Sequence, residues 1–394
     1  MHPFKTKPKG GYNWFDGDGM LHGCRIKAGK VAYSNHAVRT ARLKQELQAG
    51  TPLFFKIGEV KGFAGFLHVL LFAAKVRLGF VDPEKGIGTA NTAVVYHANR
   101  LLALQESDMP YAWASSDVER IHFMGGYSTH SLLIPRLTLQ QNMVEKNEGP
   151  FRWDASRPTR FWLLQRNAVS SRDIRCFTYP EAMFVMHTAA AFEEGDIVYL
   201  YASAQPRFQL VAPAGTTHGG PVSHSLWHPK LYEFTFNLSS GEMTRTALAP
   251  GLSSDMPAID RSLTGRKVRY VYASTMSTGP LVRFDRLVKY DLAAPIGRKV
   301  VGLIDHGGPR YVGGEAFFVP RTGGPVLKCG EDDGYLLTYV HDTVSNVSSF
   351  VVYDARTFDC EPVARVKLPQ RVPYGFHCLH VPERDLKEQD FSSS

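Results

Sequence analysis

The chain has 394 residues and a formal net charge of +8, a length at which large β architectures still fold as one domain. Its 44% hydrophobic and 12% aromatic content excludes a disordered or collagen-like chain and supplies a sizeable core. The basic excess is modest and KTKPKG at residues 5–10 is its one dense run, so no nucleic-acid partner is expected, while an anionic membrane surface remains compatible.

The start, MHPFKTKPKGGYNWF, has no apolar core of the secretory type. Five cysteines (24, 176, 329, 360 and 378) are scattered without a CxxC pair. Reduced thiols and a cytoplasmic, membrane-associable protein are the expectation. After the Gly-rich loop FDGDGM, the alternating stretches LHGCRI and KVAYSNHAV predict two strands joined by a turn at Lys27–Lys30. TARLKQELQAG predicts a short polar helix ended by Gly50.

Residues 62–81, GFAGFLHVLLFAAKVRLGFV, form the one long apolar run. A membrane span needs about 20 mostly apolar residues, and this run carries His68, Lys75 and Arg77. Lys75 and Arg77 lie near one end, where long basic side chains can snorkel. Three readings stay open at this point: a buried or cleft-lining helix, an interfacial helix dipping into one leaflet, and a true span.

From residue 88 onward the texture is β. GTANTAVVYHANRLLALQES, RFWLLQR, IRCFTYP, DIVYLYASA, KLYEFTFNLSSGEMTRTAL, RYVYAS, RLVKYDL, KVVGLIDH, GEAFFVPR, YLLTYVHD and SSFVVYDARTFDCEPVARVKLP follow one another at short spacing. Long helical patterns between them are lacking, which excludes a parallel α/β sheet and leaves a β-propeller or a large sandwich. No WD or kelch repeat is legible.

Two of the 15 histidines stand out. His187 closes the apolar strand AMFVMH just before the small-residue stretch TAAA. His377 ends RVPYGFH, where Arg371 and Val372 close a strand, Pro373 forbids its continuation and Gly375 permits a bend. Neutral imidazole is the commonest metal ligand, and ligands gathered from distant strand ends suit a propeller, whose strands converge on an axis. A histidine bonded to a backbone carbonyl is the competing reading for each. Cys/His spacing of the structural zinc type is lacking.

These residues carry a family resemblance. WFDGDGMLHGCRIKAGKVAY (14–33), VRTARLKQE (38–46), GTANTAVVYHANRLLALQESDMPYA (88–112), PFRWDASRPTRFWLLQR (150–166), HTAAAFEEGDIVYLYA (187–202), GRKVRYVYA (265–273), YVGGEAFFVPR (311–321), EDDGYLLTYVHD (331–342) and VKLPQRVPYGFH (366–377) occur in order and cover most of the chain. The sequence resembles the carotenoid cleavage oxygenases, the family of carotenoid and stilbene-cleaving dioxygenases and the retinoid isomerase.

The resemblance implies an all-β, seven-bladed β-propeller with a dome of loops and helices, a single domain over 1–394. Residues 62–81 would be an apolar dome or membrane-contacting segment within it. It implies one ferrous iron (Fe2+) held by four histidines, and O2-dependent cleavage of one conjugated double bond of a lipophilic polyene into two carbonyl products. Imidazole ligands leave such an iron open positions, and an apolar tunnel would select the bond. No catalytic group beyond the metal site is implied. His187 matches the family's third ligand and His377 its fourth. Glu315 and Glu106 match glutamates that accept the N–H of a ligand imidazole and so fix its tautomer. At the third such position Asp255 stands where the family usually has glutamate, and its shorter side chain suggests contact through a water.

The family's T-A-H-P and M-H-D-F patterns, which carry its first two ligands, do not occur after Glu106. Residues 124–134 read as a junction, with His130 the stand-in for the first ligand. FDGDGM also comes early for this family, so the chain is expected to be a shortened member, an incomplete propeller with exposed strand edges. A stilbene-cleaving dioxygenase and a non-catalytic remnant that binds a lipophile or membrane are the alternatives.

Overall fold

The computed structural model describes residues 15–60, 62–106, 108–113, 118–120, 137–139, 151–165, 169–207, 228–277, 283–321 and 330–389. The hairpin β1 (Met20–Lys27) and β2 (Lys30–Ala37) forms as expected. Its two-residue turn holds Ala28 and Gly29 at φ 49° and 73°, the left-handed pair that matches the twist of the flanking strands. Helix α1 (Ala41–Ala49) starts at Thr40, whose hydroxyl accepts from the Leu43 N–H, and stops at Gly50, φ 66°.

Helix α2 (Gly62–Arg77) occupies most of the apolar run. No helix among the described residues is long and apolar enough to cross a membrane. A buried helix is not what forms either. Phe72 and Val76 pack on Leu53, Phe54 and Val81, while Phe63, Leu70 and Leu71 stay about half exposed or more.

Among the described residues, everything else of length is antiparallel β. Strands β3 (Ala93–His97), β4 (Arg100–Leu104), β5 (Tyr111–Trp113) and β6 (Val118–Arg120) form a four-stranded meander. Two two-stranded sheets follow, β7 (Leu137–Leu139) with β8 (Phe151–Trp153) and β9 (Thr159–Leu164) with β10 (Ile174–Tyr179). The next meander is β11 (Phe184–Glu194), β12 (Ile197–Gln205), β13 (Lys230–Asn237) and β14 (Met243–Ala247). Another comprises β15 (Ser254–Ala258), β16 (Tyr270–Met276), β17 (Phe284–Asp291) and β18 (Val300–Asp305). In the last, β19 (Tyr311–Val312) and β20 (Phe317–Pro320) both pair with β21 (Gly334–Asp342), followed by β22 (Val347–Asp354) and β23 (Ala364–Lys367). Helix α3 (Glu383–Lys387) lies near the end.

Successive four- and five-stranded meanders make the fold propeller-like, and the packing shows why. Along β16, Val271 and Ala273 face a core shared with Phe192, Tyr201 and Leu231 of the preceding sheet. Tyr272, pointing the other way, joins Phe318, Leu336 and Tyr353 of the following sheet. The period-2 alternation of a strand thus feeds two cores at once. A strand covered on both faces reads as a nearly continuous apolar run, as RYVYAS does.

Two boundaries differ from expectation. The strand carrying His187 does not stop there but runs on through Thr188–Glu194 to pair with β12. The small residues that follow His187 stay within the strand, with register shifts on either side of His187 and Thr188. The strand before His377 ends at Lys367, so Arg371 and Val372 lie outside it.

Candidate metal centre

His187 is bracketed by two register shifts in β11, between Val185 and His187 and between Thr188 and Ala190. Each bulge rotates the strand locally and re-aims its side chains. Asp255 enters from β15, with its residue 2% exposed. Its Oδ1 lies 2.8 Å from His187 Nδ1. The contact is direct, which corrects the water-bridged arrangement expected from the shorter side chain: the backbone of β15, bulged between Asp255 and Ala258, brings the carboxylate close enough.

His377 is delivered by an extended segment without regular structure. Val372 anchors that segment, packing with Phe350 and Leu368 and donating its N–H to Ser348 Oγ at 2.9 Å. Ser348 Oγ also meets His341 Nδ1 at 3.0 Å. Pro373 then restricts the chain, although Gly375 is not among the described residues at positive φ. Glu315, two residues before β20, lies with Oε1 3.1 Å from His377 Nδ1, and its Oε2 accepts the Cys378 N–H. The Glu315 carbonyl is itself fixed by Thr338 Oγ1 at 3.0 Å.

The two imidazoles meet edge to face, with centroids 4.9 Å apart and planes at 80°. Each directs Nδ1 at a carboxylate, which places the proton there and leaves the Nε2 lone pair as the donor. Burial pulls the His187 imidazole down, but the Asp255 charge, its hydrogen bond and the more distant Glu315 charge outweigh it, so the pKa is raised. The Cys378 thiol is pushed well up, first by burial and then by the Glu315 carboxylate, and so stays protonated. Phe376 stacks on Phe15 of the FDGDGM loop, with centroids 5.0 Å apart and planes within 4°, so an aromatic wall adjoins His377.

Four sequence-predicted residues or stand-ins are therefore together: His187, His377, Glu315 and Asp255. Glu106 is not with them. It is exposed and accepts from Thr92 Oγ1 at 3.1 Å. His130 lies outside the described residues. Among the described residues no three His, Cys, Asp or Glu side chains form a metal cage. Two imidazoles with free Nε2 lone pairs, each backed by a carboxylate, fit the donor chemistry of half of a four-histidine iron site. Sequence reasoning missed Ser348, whose hydroxyl holds Val372, and the Phe15–Phe376 stack. SS before FVVYD carries no signal for the first, and the partners of the second lie near opposite ends of the chain.

The retinal pigment epithelial membrane protein family matches residues 1–131 and 121–382. The chain belongs to that family. The two matches meet within the stretch where the sequence reads as a junction. The chain is 34% identical to the carotenoid 9,10(9',10')-cleavage dioxygenase 1 of Phaseolus vulgaris over 464 residues, covering 98% of this chain and 83% of that protein. The same identity and coverage hold for the carotenoid 9,10(9',10')-cleavage dioxygenase of Crocus sativus. Each alignment is longer than this 394-residue chain, so the relatives contain positions that this chain lacks.

Among solved structures, a Glu150Gln mutant of Synechocystis apocarotenoid oxygenase superposes with a TM-score of 0.75 at 20% identity, covering 96% of this chain and 89% of that one. The lignostilbene dioxygenase of Pseudomonas brassicacearum gives 0.72 at 22% identity, with 94% and 88% covered. These likenesses establish the fold. With the curated relatives, they place the chain in an enzyme family whose named members are carotenoid cleavage dioxygenases.

Proposed function

We propose that this protein is a non-haem iron dioxygenase that cleaves one conjugated double bond of a carotenoid or apocarotenoid with O2, giving two carbonyl products. The observation that carries the reading is the pair His187 and His377, on strands and loops far apart in sequence, each backed by a carboxylate and sharing one edge-to-face contact. His130 is proposed as the family's first ligand, joining His187 and His377. Glu106 would then be the carboxylate behind that histidine, and the family's second ligand, the one carried by its M-H-D-F pattern, has no matching pattern in the sequence. The seven-bladed ring, the single domain over 1–394 and the assignment of residues 62–81 to peripheral membrane contact belong to the same proposal.

Bound iron would supply the activation of O2. The chain's own residues do the rest. Asp255 and Glu315 accept from Nδ1 of His187 and His377, so that both rings are held in orientation with Nε2 turned away from the carboxylates. The Phe15–Phe376 stack offers a flat apolar surface beside His377, suited to a rigid polyene and unsuited to water. A carotenoid substrate is favoured over a stilbene by the curated relatives, which are named for carotenoid cleavage at 34% identity.

The test is iron per chain in anaerobically purified protein, compared with His187→Ala and His377→Ala. About one iron per chain that falls severalfold in either variant supports the reading, and conversion of an apocarotenoid to two carbonyl products under O2 completes it. Iron content equally low in all three would mean a family member that has kept the fold without the centre.

A further inference from the structure

Met256 stands in the left-handed backbone region, φ 54°, in the middle of β15. An L-residue with a side chain disfavours that region because its Cβ crowds the carbonyl oxygen, and the following Pro257 restricts the same residue further. Met256 is only 6% exposed, so this is no surface turn. The residues around it are pinned. The Ser254 N–H donates to Pro229 O at 2.9 Å. The Ser254 carbonyl accepts from Ser203 Oγ at 3.3 Å, and its hydroxyl meets the Tyr290 hydroxyl at 2.8 Å. Regular pairing with β16 breaks after Asp255 and resumes at Ala258. Asp255 thus lies between a fixed residue and a left-handed one, with Oδ1 2.8 Å from His187 Nδ1.

We propose that the left-handed turn at Met256 aims Asp255 directly at His187 and thereby sets the orientation of that imidazole. Aspartate has one methylene with which to reach a partner, so rotation of its side chain offers little search and the backbone must supply the aim. Strained conformations of this kind persist where the surroundings over-determine them, and they concentrate at functional sites. Met256 is accordingly a positioning residue. Its consequence for metal affinity rests on the reading of His187 and His377 as metal ligands, whereas the Asp255–His187 contact belongs to the metal-free protein and is tested there.

The experiment uses the full chain labelled with 15N-histidine. In the metal-free state the His187 Nδ1–H resonance, assigned by its loss in His187→Gln, reports the contact with Asp255. Cobalt(II) titration reports affinity. Met256→Gly, which adopts positive φ freely, is expected to keep the resonance and to hold cobalt within about twofold of the parent. Met256→Val, whose β-branched side chain resists that conformation, is expected to lose the resonance and to weaken cobalt binding by about tenfold. In an Asp255→Ala background the same valine substitution should change affinity no further.

Retention of the resonance and affinity in Met256→Val overturns the proposal, as does an equal loss with and without Asp255. If the valine variant fails to fold, Asp255→Glu decides. The extra methylene should overshoot and weaken binding by about tenfold, and unchanged resonance and affinity would show that side-chain reach, not backbone aim, makes the contact. If the parent chain takes up no cobalt, the metal reading fails and the resonance alone decides the role of Met256.

Discussion

Glu315 serves two donors with one carboxylate, the His377 imidazole through Oε1 and the Cys378 N–H through Oε2. Glu315→Gln keeps the shape but turns one end of the group into a donor, facing either an N–H or the imidazole proton. Metal affinity is expected to fall by about 10–100-fold, the usual cost of losing a hydrogen-bonded partner behind a ligand, with the melting temperature nearly unchanged; cobalt titration and thermal unfolding check both. His306 makes a different statement. It is 2% exposed, its Nδ1 lies 3.0 Å from the Tyr353 hydroxyl, and a Cβ at Gly313 would fall 2.4 Å from its Nε2. Burial, aided by the Arg365 charge, lowers its pKa from the ordinary 6.5 to about 4. Between those two values the unfolded chain binds a proton that the folded chain does not, so this group makes stability rise with pH across that window. The full effect is about 3 kcal/mol at one pKa unit per 1.4 kcal/mol. His306→Phe should flatten the urea-midpoint profile between pH 4 and 6.5, while an unchanged profile would assign the acid sensitivity elsewhere.

At the level of elements, α2 is held by one side and bare on the other. Lys75 Nζ donates to the Pro52 and Leu53 carbonyls at 3.3 and 3.2 Å, and a Cβ at Gly65 would lie 2.6 Å from the Val60 backbone, so the helix cannot lift without breaking both contacts. Its other face carries Phe63, Leu70 and Leu71, and the chain beyond adds Leu78 and Phe80, at 71% and 67% exposure. Each large apolar side chain moved from water into an apolar medium contributes about 1.5–3 kcal/mol, enough for three to hold a protein on a bilayer. Phe63→Ser, Leu70→Ser and Leu71→Ser combined should reduce sedimentation with phospholipid vesicles by at least about tenfold without lowering the melting temperature. Unaltered sedimentation would remove this face of α2 as a membrane-contacting surface. The hairpin β1–β2 is anchored in another way. Arg25 and Lys27 meet Glu383 of α3 at 2.9 and 3.1 Å, and Tyr339 donates to His22 O at 3.1 Å. The exposed ion pairs contribute little on their own; they fix where the C-terminal segment runs after it has delivered His377.

Across the whole molecule, neighbouring sheets share cores and also buried polar ties. Lys289 of β17 sends its ammonium to Asp332 at 2.7 Å and to Ala355 O at 2.8 Å, with its side chain 6% exposed, and so joins two successive sheets. Lys289→Met would leave Asp332 without its closest cation. Breaking such a buried pair costs about 3 kcal/mol, which a lowered denaturation midpoint would show; replacing both Lys289 and Asp332 with apolar residues should recover part of the loss.

The sequence by itself determined where most strands lie, because period-2 alternation and turn residues act locally: the hairpin over 20–37, helix α1 ended by Gly50, and RYVYAS as a strand are all legible in the letters. Ordered motifs also determined the family, and with it His187, His377 and Glu315 as residues of one site. Tertiary structure alone decided what depends on where a backbone is carried. The bulged β15 brings a short aspartate to His187, Ser348 sets the approach of the segment that ends at His377, and a strand that seemed to stop at His187 continues because a partner, β12, lies beside it. Contacts made across many intervening residues have no periodic trace in the chain; they arise when packing fixes two segments whose sequences are independent of each other.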